Sequence, residues 1–170
     1  MHNETYTRLI HEAQGLHAGL TAWRDVDSSV DDRALSKAFR DNWDLRIGGL
    51  KFGGVWSISM ARSNLHHPAS HAALQIPRKD WSGRNVTVEH SIPIKILYPA
   101  FMGGGNPGDL RAVIDAYHVA VVTRAEDKHL RDAGLRQSMP LGWEWGDDPF
   151  ARWKAVGIEV APIQSGLSNT

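Results

Sequence analysis

The sequence predicts an α+β fold, with helices at the N-terminus and a small antiparallel sheet in the C-terminal half. Three observations predict it. Apolar residues between 6 and 39 recur at three- and four-residue steps, the period of amphipathic helices. Two short β-prone runs follow much later, Val86-Thr87-Val88-Glu89-His90 and His118-Val119-Ala120-Val121-Val122. The second run leads directly into Thr123-Arg124-Ala125-Glu126, a capping-box pattern that opens a helix. A chain of 170 residues suits one domain with its own core. Residues 1–45 form its helical part, and residues 84–134 hold the sheet and the residues with chemistry.

Taken in order, residues 3–23 read as a helix through Tyr6, Leu9, Ile10, Ala13, Leu16, Leu20 and Trp23. After a turn over 25–29, Ser29 or Asp31 caps a second helix running to about Trp43. Residues 45–60 alternate apolar and polar side chains between Gly48-Gly49 and Gly53-Gly54, which predicts a hairpin or meander. No Lys-Ser/Thr follows those glycines, so a P-loop is not indicated. Pro68 predicts a helix start with His67 as its cap. Residues 78–84 form a basic turn, read as a solvated hairpin turn or a phosphate contact. Pro93 ends the first strand because it lacks a donor. Asp109 opens a helix to Tyr117, the helix after Thr123 ends at Gly134, Asp148-Pro149 opens another over 150–156, and residues 158–161 form a last strand. The polar end, Gln164 to Thr170, is expected to fray.

Composition limits the function classes. Lys plus Arg equals Asp plus Glu at 19 each, so overall charge names no partner. Residues 51–170 carry a slight basic excess, a weak pointer to a nucleic-acid face there. Cysteine is absent, which removes disulfides and thiolate zinc sites and leaves His, Asp, Glu and Asn as metal ligands. No leader pattern opens the sequence and no apolar run approaches a membrane span. The expectation is a cytoplasmic protein without a membrane partner.

The most informative stretch is the end of the first strand, where Glu89 and His90 form an acid-imidazole pair. Hydrolysis of a phosphodiester needs a base for water and a cation for the charge that grows on phosphate. Imidazole is suited to the first task near neutral pH, and carboxylates to holding Mg²⁺ or Mn²⁺ for the second. The capped helix adds Asp127 and His129 in its first turns.

Val88-Glu89-His90-Ser91-Ile92-Pro93 resembles the (V/I)-(D/E)-H-x-x-P first strand of HNH, or ββα-metal, endonucleases. Val121 to His129 resembles the second strand and metal-binding helix of that motif. The resemblance spans residues 84–134. It implies that His90 is the general base, that Glu89 binds the metal, and that Asp127 or His129 is the helix ligand. It implies one divalent cation, Mg²⁺ or Mn²⁺, and DNA ahead of RNA as substrate. Lys95, Arg124, Lys128 and Arg131 are the candidate phosphate contacts. The chain departs from the family in the Asp at the helix position, in the long connection between strands, and in lacking Cys-x-x-Cys knuckles. Two other readings stand beside it: a non-catalytic nucleic-acid-binding or protein-interaction domain of ββα shape, and a hydrolase built on the His66, His67 and His71 cluster.

Overall fold

A computed structural model describes residues 3–27, 29–52, 57–64, 67–104 and 107–161. Helix α1 (Asn3–Val26) buries Leu9, Ala13, Leu16 and Leu20, the stripe that the three- and four-residue spacing marks out. It packs on α2 (Asp32–Trp43) and on α7 (Pro107–Ala116). Asp31 caps α2, its carboxylate accepting from Ala34 N at 2.7 Å. Leu35, Phe39 and Trp43 continue the same core, joined by Leu97 and Phe101 of α6 (Ile94–Gly103). Helix α6 is not among the elements expected from sequence, although Ile94, Leu97, Tyr98 and Phe101 recur at three- and four-residue steps; Pro99 sits inside it.

The hairpin expected over residues 45–60 is not formed in the described part of that stretch. The chain leaves α2 through a π-helical turn, Asp44–Gly48, then α3 (Gly49–Phe52) and, after an undescribed stretch, α4 (Ile58–Ser63). Gly53 to Trp56 lie outside the described residues. The reason is tertiary. Trp43, Ile47 and Phe52 lie at four- and five-residue steps and all enter the main core, so burial carries the helical stripe past the glycines.

Strand β1 (Val86–His90) pairs antiparallel with β2 (Val119–Thr123), Val86 opposite Thr123 and His90 opposite Val119. Helix α8 (Arg124–Asp132) follows β2 at once. Its capping box is complete: Thr123 Oγ1 accepts from Glu126 N at 3.1 Å, and Glu126 accepts from Thr123 N at 2.7 Å. Gly134, at φ 73°, ends the turn in the left-handed region where glycine is favoured. The expected second strand and α8 thus form within a residue or so of their sequence bounds.

The other edge of β2 is covered rather than free. Val121 N donates to Pro68 O at 2.9 Å, and Ser70 N donates to Val121 O at 2.9 Å. Residues 159–161 lie on the far side of that segment, with a bridge between Ser70 and Val160. That bridge is all that forms of the expected last strand. Covering the edge satisfies donors and blocks pairing with another chain. It also corrects the expected helix start at Pro68. Pro68 and Ala69 run extended beside β2, and Ser70, not His67, caps α5 (His71–Leu74). The basic turn is a short 3-10 turn, Arg78–Asp80, and Arg78 is folded inward on Ala61 O and Asn64 O at 3.1 and 2.9 Å, a tie within the chain. The helix near Asp148 is shorter than expected, α9 (Ala151–Lys154). Gln164 to Thr170 lie outside the described residues.

Both faces of β2 are therefore buried. Val86 and Val121 pack on Ala61, Ala69, Ala73 and Trp81; Ala120 and Val122 pack on Leu130 of α8 and Trp153 of α9. No helix among the described residues is long and apolar enough to cross a membrane.

Candidate active site

Successive residues of a strand face opposite sides, so Glu89 and His90 leave β1 in different directions. Glu89 lies opposite Ala120, on the face covered by α8 and α9. His90 lies opposite Val119, on the face of the large helical core. The two side chains nevertheless line one cleft, because β1 ends there.

On the His90 side the partner is Asp44, the first residue of the π turn after α2. His90 Nε2 is 2.9 Å from Asp44 Oδ1, and Tyr117 donates its hydroxyl to the same oxygen at 2.7 Å. The His90 and Asp44 side chains are 16% and 13% exposed, so water screens the pair weakly. Tyr117 is fully buried just before β2, and the rings around it are those of Trp43, Phe52 and His90. Burial, and then the charge of Asp44, push its hydroxyl pKa well above 10. The phenol therefore stays a donor.

On the Glu89 side the partner is Arg152 of α9, which has no exposed surface. Its Nη2 bonds the Glu89 carboxylate and His90 O, the latter at 2.8 Å. Its Nη1 donates to Leu135 O and Arg136 O at 2.7 and 3.0 Å. Burial presses the Arg152 pKa down, while Glu89 and then Asp127 hold it up. Both carboxylates thus act on one guanidinium. Asp127 also pairs with Arg131 at 3.5 Å and Arg124 at 3.8 Å.

The cleft has a volume of about 1210 Å³, and Glu89, His90, Asp127 and Asp44 all reach it. Six basic side chains line it against four acidic ones, Asp32, Asp44, Glu89 and Asp127, a basic excess in a chain that is neutral as a whole. Arg33, Lys37 and Arg40 of α2 line it; Lys95 of α6, Arg124 of α8 and Arg136 just beyond α8 reach it as well. Among the described residues, the Arg33, Lys95 and Arg136 side chains have no ion-pair or hydrogen-bond partner.

Of the residues chosen from sequence, the fold brings Glu89, His90, Asp127, Lys95 and Arg124 to this cleft. It leaves out three. His129 is exposed on α8, Lys128 pairs with Asp132 along the helix, and Arg131 pairs with Asp127. The histidine cluster is dispersed: His67 is buried, its Nδ1 donating to Pro68 O at 2.9 Å, whereas His71 is exposed beside Glu159. His66 lies outside the described residues. Sequence reasoning missed Asp44, Tyr117, Arg152 and the α2 wall. Only the wall had a signal, basic residues at helical steps opposite the buried stripe of α2.

The donor set bears on the divalent cation that the motif implies. Among the described residues no group of three His, Cys, Asp or Glu could hold a metal ion. Glu89 and Asp127 both line the cleft, Glu89 paired with Arg152 and Asp127 with Arg124 and Arg131. Carboxylate oxygens are the donor type that Mg²⁺ or Mn²⁺ would take, with waters and phosphate oxygens completing the shell around this donor set. It does not fit a closed, all-protein zinc site.

Compared with models of protein families, with curated proteins and with solved structures, the chain has no match.

Proposed function

We propose that this chain is a metal-dependent endonuclease that hydrolyses phosphodiester bonds of DNA, of the HNH type that its strand and helix motifs resemble. The observation that carries the reading is that His90, Glu89 and Asp127 line one cleft together with six basic side chains. Neutral net charge would argue against a nucleic-acid partner. The basic excess of the cleft, six basic against four acidic side chains, bears on that objection, because phosphate attraction depends on local charge.

In this reading Glu89 and Asp127 hold one divalent cation, Mg²⁺ or Mn²⁺. That cation supplies charge stabilisation for the phosphate and the leaving oxygen when bound. His90 accepts the proton of the attacking water. Lys95, Arg124, Arg136, Arg33, Lys37 and Arg40 contact the phosphates flanking the scissile bond. Arg152 fixes the end of β1 by bonding the Glu89 carboxylate and His90 O together.

The test is nicking of supercoiled plasmid with Mg²⁺ or Mn²⁺, comparing wild type with His90→Ala. The expected loss is about 10²- to 10⁴-fold, the usual contribution of a general base. Undiminished cleavage by the variant sinks the assignment. A second reading, a nucleic-acid-binding domain without catalysis, is favoured by one observation: Glu89 and Asp127 already have arginine partners. It expects salt-sensitive DNA binding that is the same with EDTA and with Mg²⁺, and no nicking.

A further inference from the structure

The histidine in the cleft is held from the far side by a residue that belongs to neither strand nor to α8. Asp44 comes from the end of α2, in the part of the chain without motif resemblance, and its bond with His90 joins residues 46 positions apart. We propose that Asp44, with Tyr117 behind it, is a positioning residue that fixes His90 as the Nε2–H tautomer and turns Nδ1 to the cleft. This rests on His90 being the base of the proposed reaction.

The tautomer follows from what each group can do. A carboxylate only accepts hydrogen bonds. Asp44 Oδ1 lies 2.9 Å from His90 Nε2 and 2.7 Å from the Tyr117 hydroxyl, so both must present a hydrogen to it. The other tautomer would set the Nε2 lone pair against the carboxylate oxygen, in a pair shielded from water. Nδ1 is then the acceptor. Among the described residues Nδ1 has no protein partner, and it is absent from the buried polar atoms left unpaired. It therefore reaches solvent, and the residue lines the cleft.

The mount is stiff. Trp43, next to Asp44, meets the Tyr117 ring edge-on at 5.7 Å and 81°, and Phe52 lies 5.8 Å from that ring. Tyr117 cannot swing away from Asp44 without opening this buried cluster. Asp44 also begins the π-helical turn, a widened geometry that recurs at functional sites.

The proton balance is simple. Nδ1 takes a proton from water, whose oxygen forms the bond to phosphorus. The bond from phosphorus to the sugar oxygen breaks, the electron pair leaves on that oxygen, and solvent supplies its proton. The imidazolium, still bonded to Asp44 through Nε2, returns its Nδ1 proton to solvent.

The test reads the ring directly. The full chain is labelled with ¹⁵N, and long-range ring correlations are recorded above the imidazole titration range, His90 being assigned by its loss in His90→Gln. The expected wild type has a protonated Nε2 and an unprotonated Nδ1, and Tyr117→Phe keeps that pattern. Asp44→Ala gives a ring exchanging between both tautomers, and nicking kcat falls about 10- to 100-fold with little change in KM. An Nδ1-protonated His90 in wild type overturns the proposal, and so does an Asp44→Ala ring identical to wild type. The wild-type measurement needs no variant to fold and no substrate. A wild type with the expected ring that cuts no DNA overturns the endonuclease reading, while the Asp44 mount is upheld.

Discussion

The guanidinium of Arg152, wholly buried, closes on the carboxylate of Glu89 at the end of β1. The same guanidinium donates to three backbone carbonyls, His90 O, Leu135 O and Arg136 O. One side chain from α9 thus ties the site strand to the loop after α8. Arginine suits this place because it stays charged and presents several donors in a fixed fork.

Removing that fork leaves Glu89 partly buried beside three orphaned carbonyls. Arg152→Met is expected to destabilise the fold by about 3–5 kcal/mol, the range for breaking a buried pair from one side. Arg152→Met with Glu89→Gln should recover part of the loss, since the stranded charge is gone. Urea denaturation of the two single variants and the double variant gives the coupling. Strict additivity would mean that the pair does not interact.

Ser70 offers a second test of how the site helix is anchored. Its buried hydroxyl donates to Glu126 Oε2 at 2.7 Å and accepts from Ala73 N at 3.0 Å. It therefore caps α5 and joins α5 to the capping box of α8. Ser70→Ala loses both bonds and is expected to cost about 1–3 kcal/mol. A shift in the urea midpoint without a change in slope would mark a pure stability loss. A midpoint equal to wild type would show that the junction is not held this way.

How much of this was open to the sequence depended on range. β1, β2 and α8 were legible because their signals are local: alternation, β-branched residues, and Thr123 with Glu126. The resemblance carried by those elements grouped Glu89 and His90 with Asp127 or His129, and of the last two only Asp127 lines the cleft. Asp44 and Arg152 were not legible, since their partners lie 46 and 63 positions away and nothing local distinguishes a buried Asp or Arg from a surface one. The 45–60 stretch misled for the same reason. Its glycines and alternation are local facts, whereas Ile47 and Phe52 are helical because of the core they enter.

Acid should weaken the fold through His118, whose ring packs at a tilt against Phe150, centroids 4.6 Å apart. Burial, and then the charge of Lys51, lower its pKa from 6.5 to about 4. The sign follows from proton counts. Between about pH 6.5 and about 4 the unfolded chain binds a proton at this site that the folded chain refuses, so stability falls as pH falls through that window. Above it both states are neutral and the contribution is flat. The urea midpoint should drop from pH 7 to pH 4, and His118→Phe should remove part of the drop. Buried His67, also lowered by burial, keeps some acid sensitivity in that variant. A drop of the same size in His118→Phe would refute the assignment.

The α2 wall yields the sharpest test of a nucleic-acid partner. Arg33, Lys37 and Arg40 recur at four- and three-residue steps, so they share one face of the helix. Arg124 and Lys95 line the same cleft. Lys37 and Arg40 share Asp41 as a neighbour, but these exposed pairs are weak and yield to a phosphate. Arg33→Glu with Arg40→Glu should weaken duplex binding in a His90→Ala background, where no cleavage intervenes. For each phosphate that is no longer neutralised, the slope of log K against log salt should fall by about 1, and the weakening should be similar for unrelated DNA sequences. Arg33 and Arg40 are exposed and belong to no core cluster, so the urea midpoint should stay near that of the His90→Ala parent. An unchanged slope would leave α2 a solvated helix face, and DNA would then have to be held by the α8 side alone.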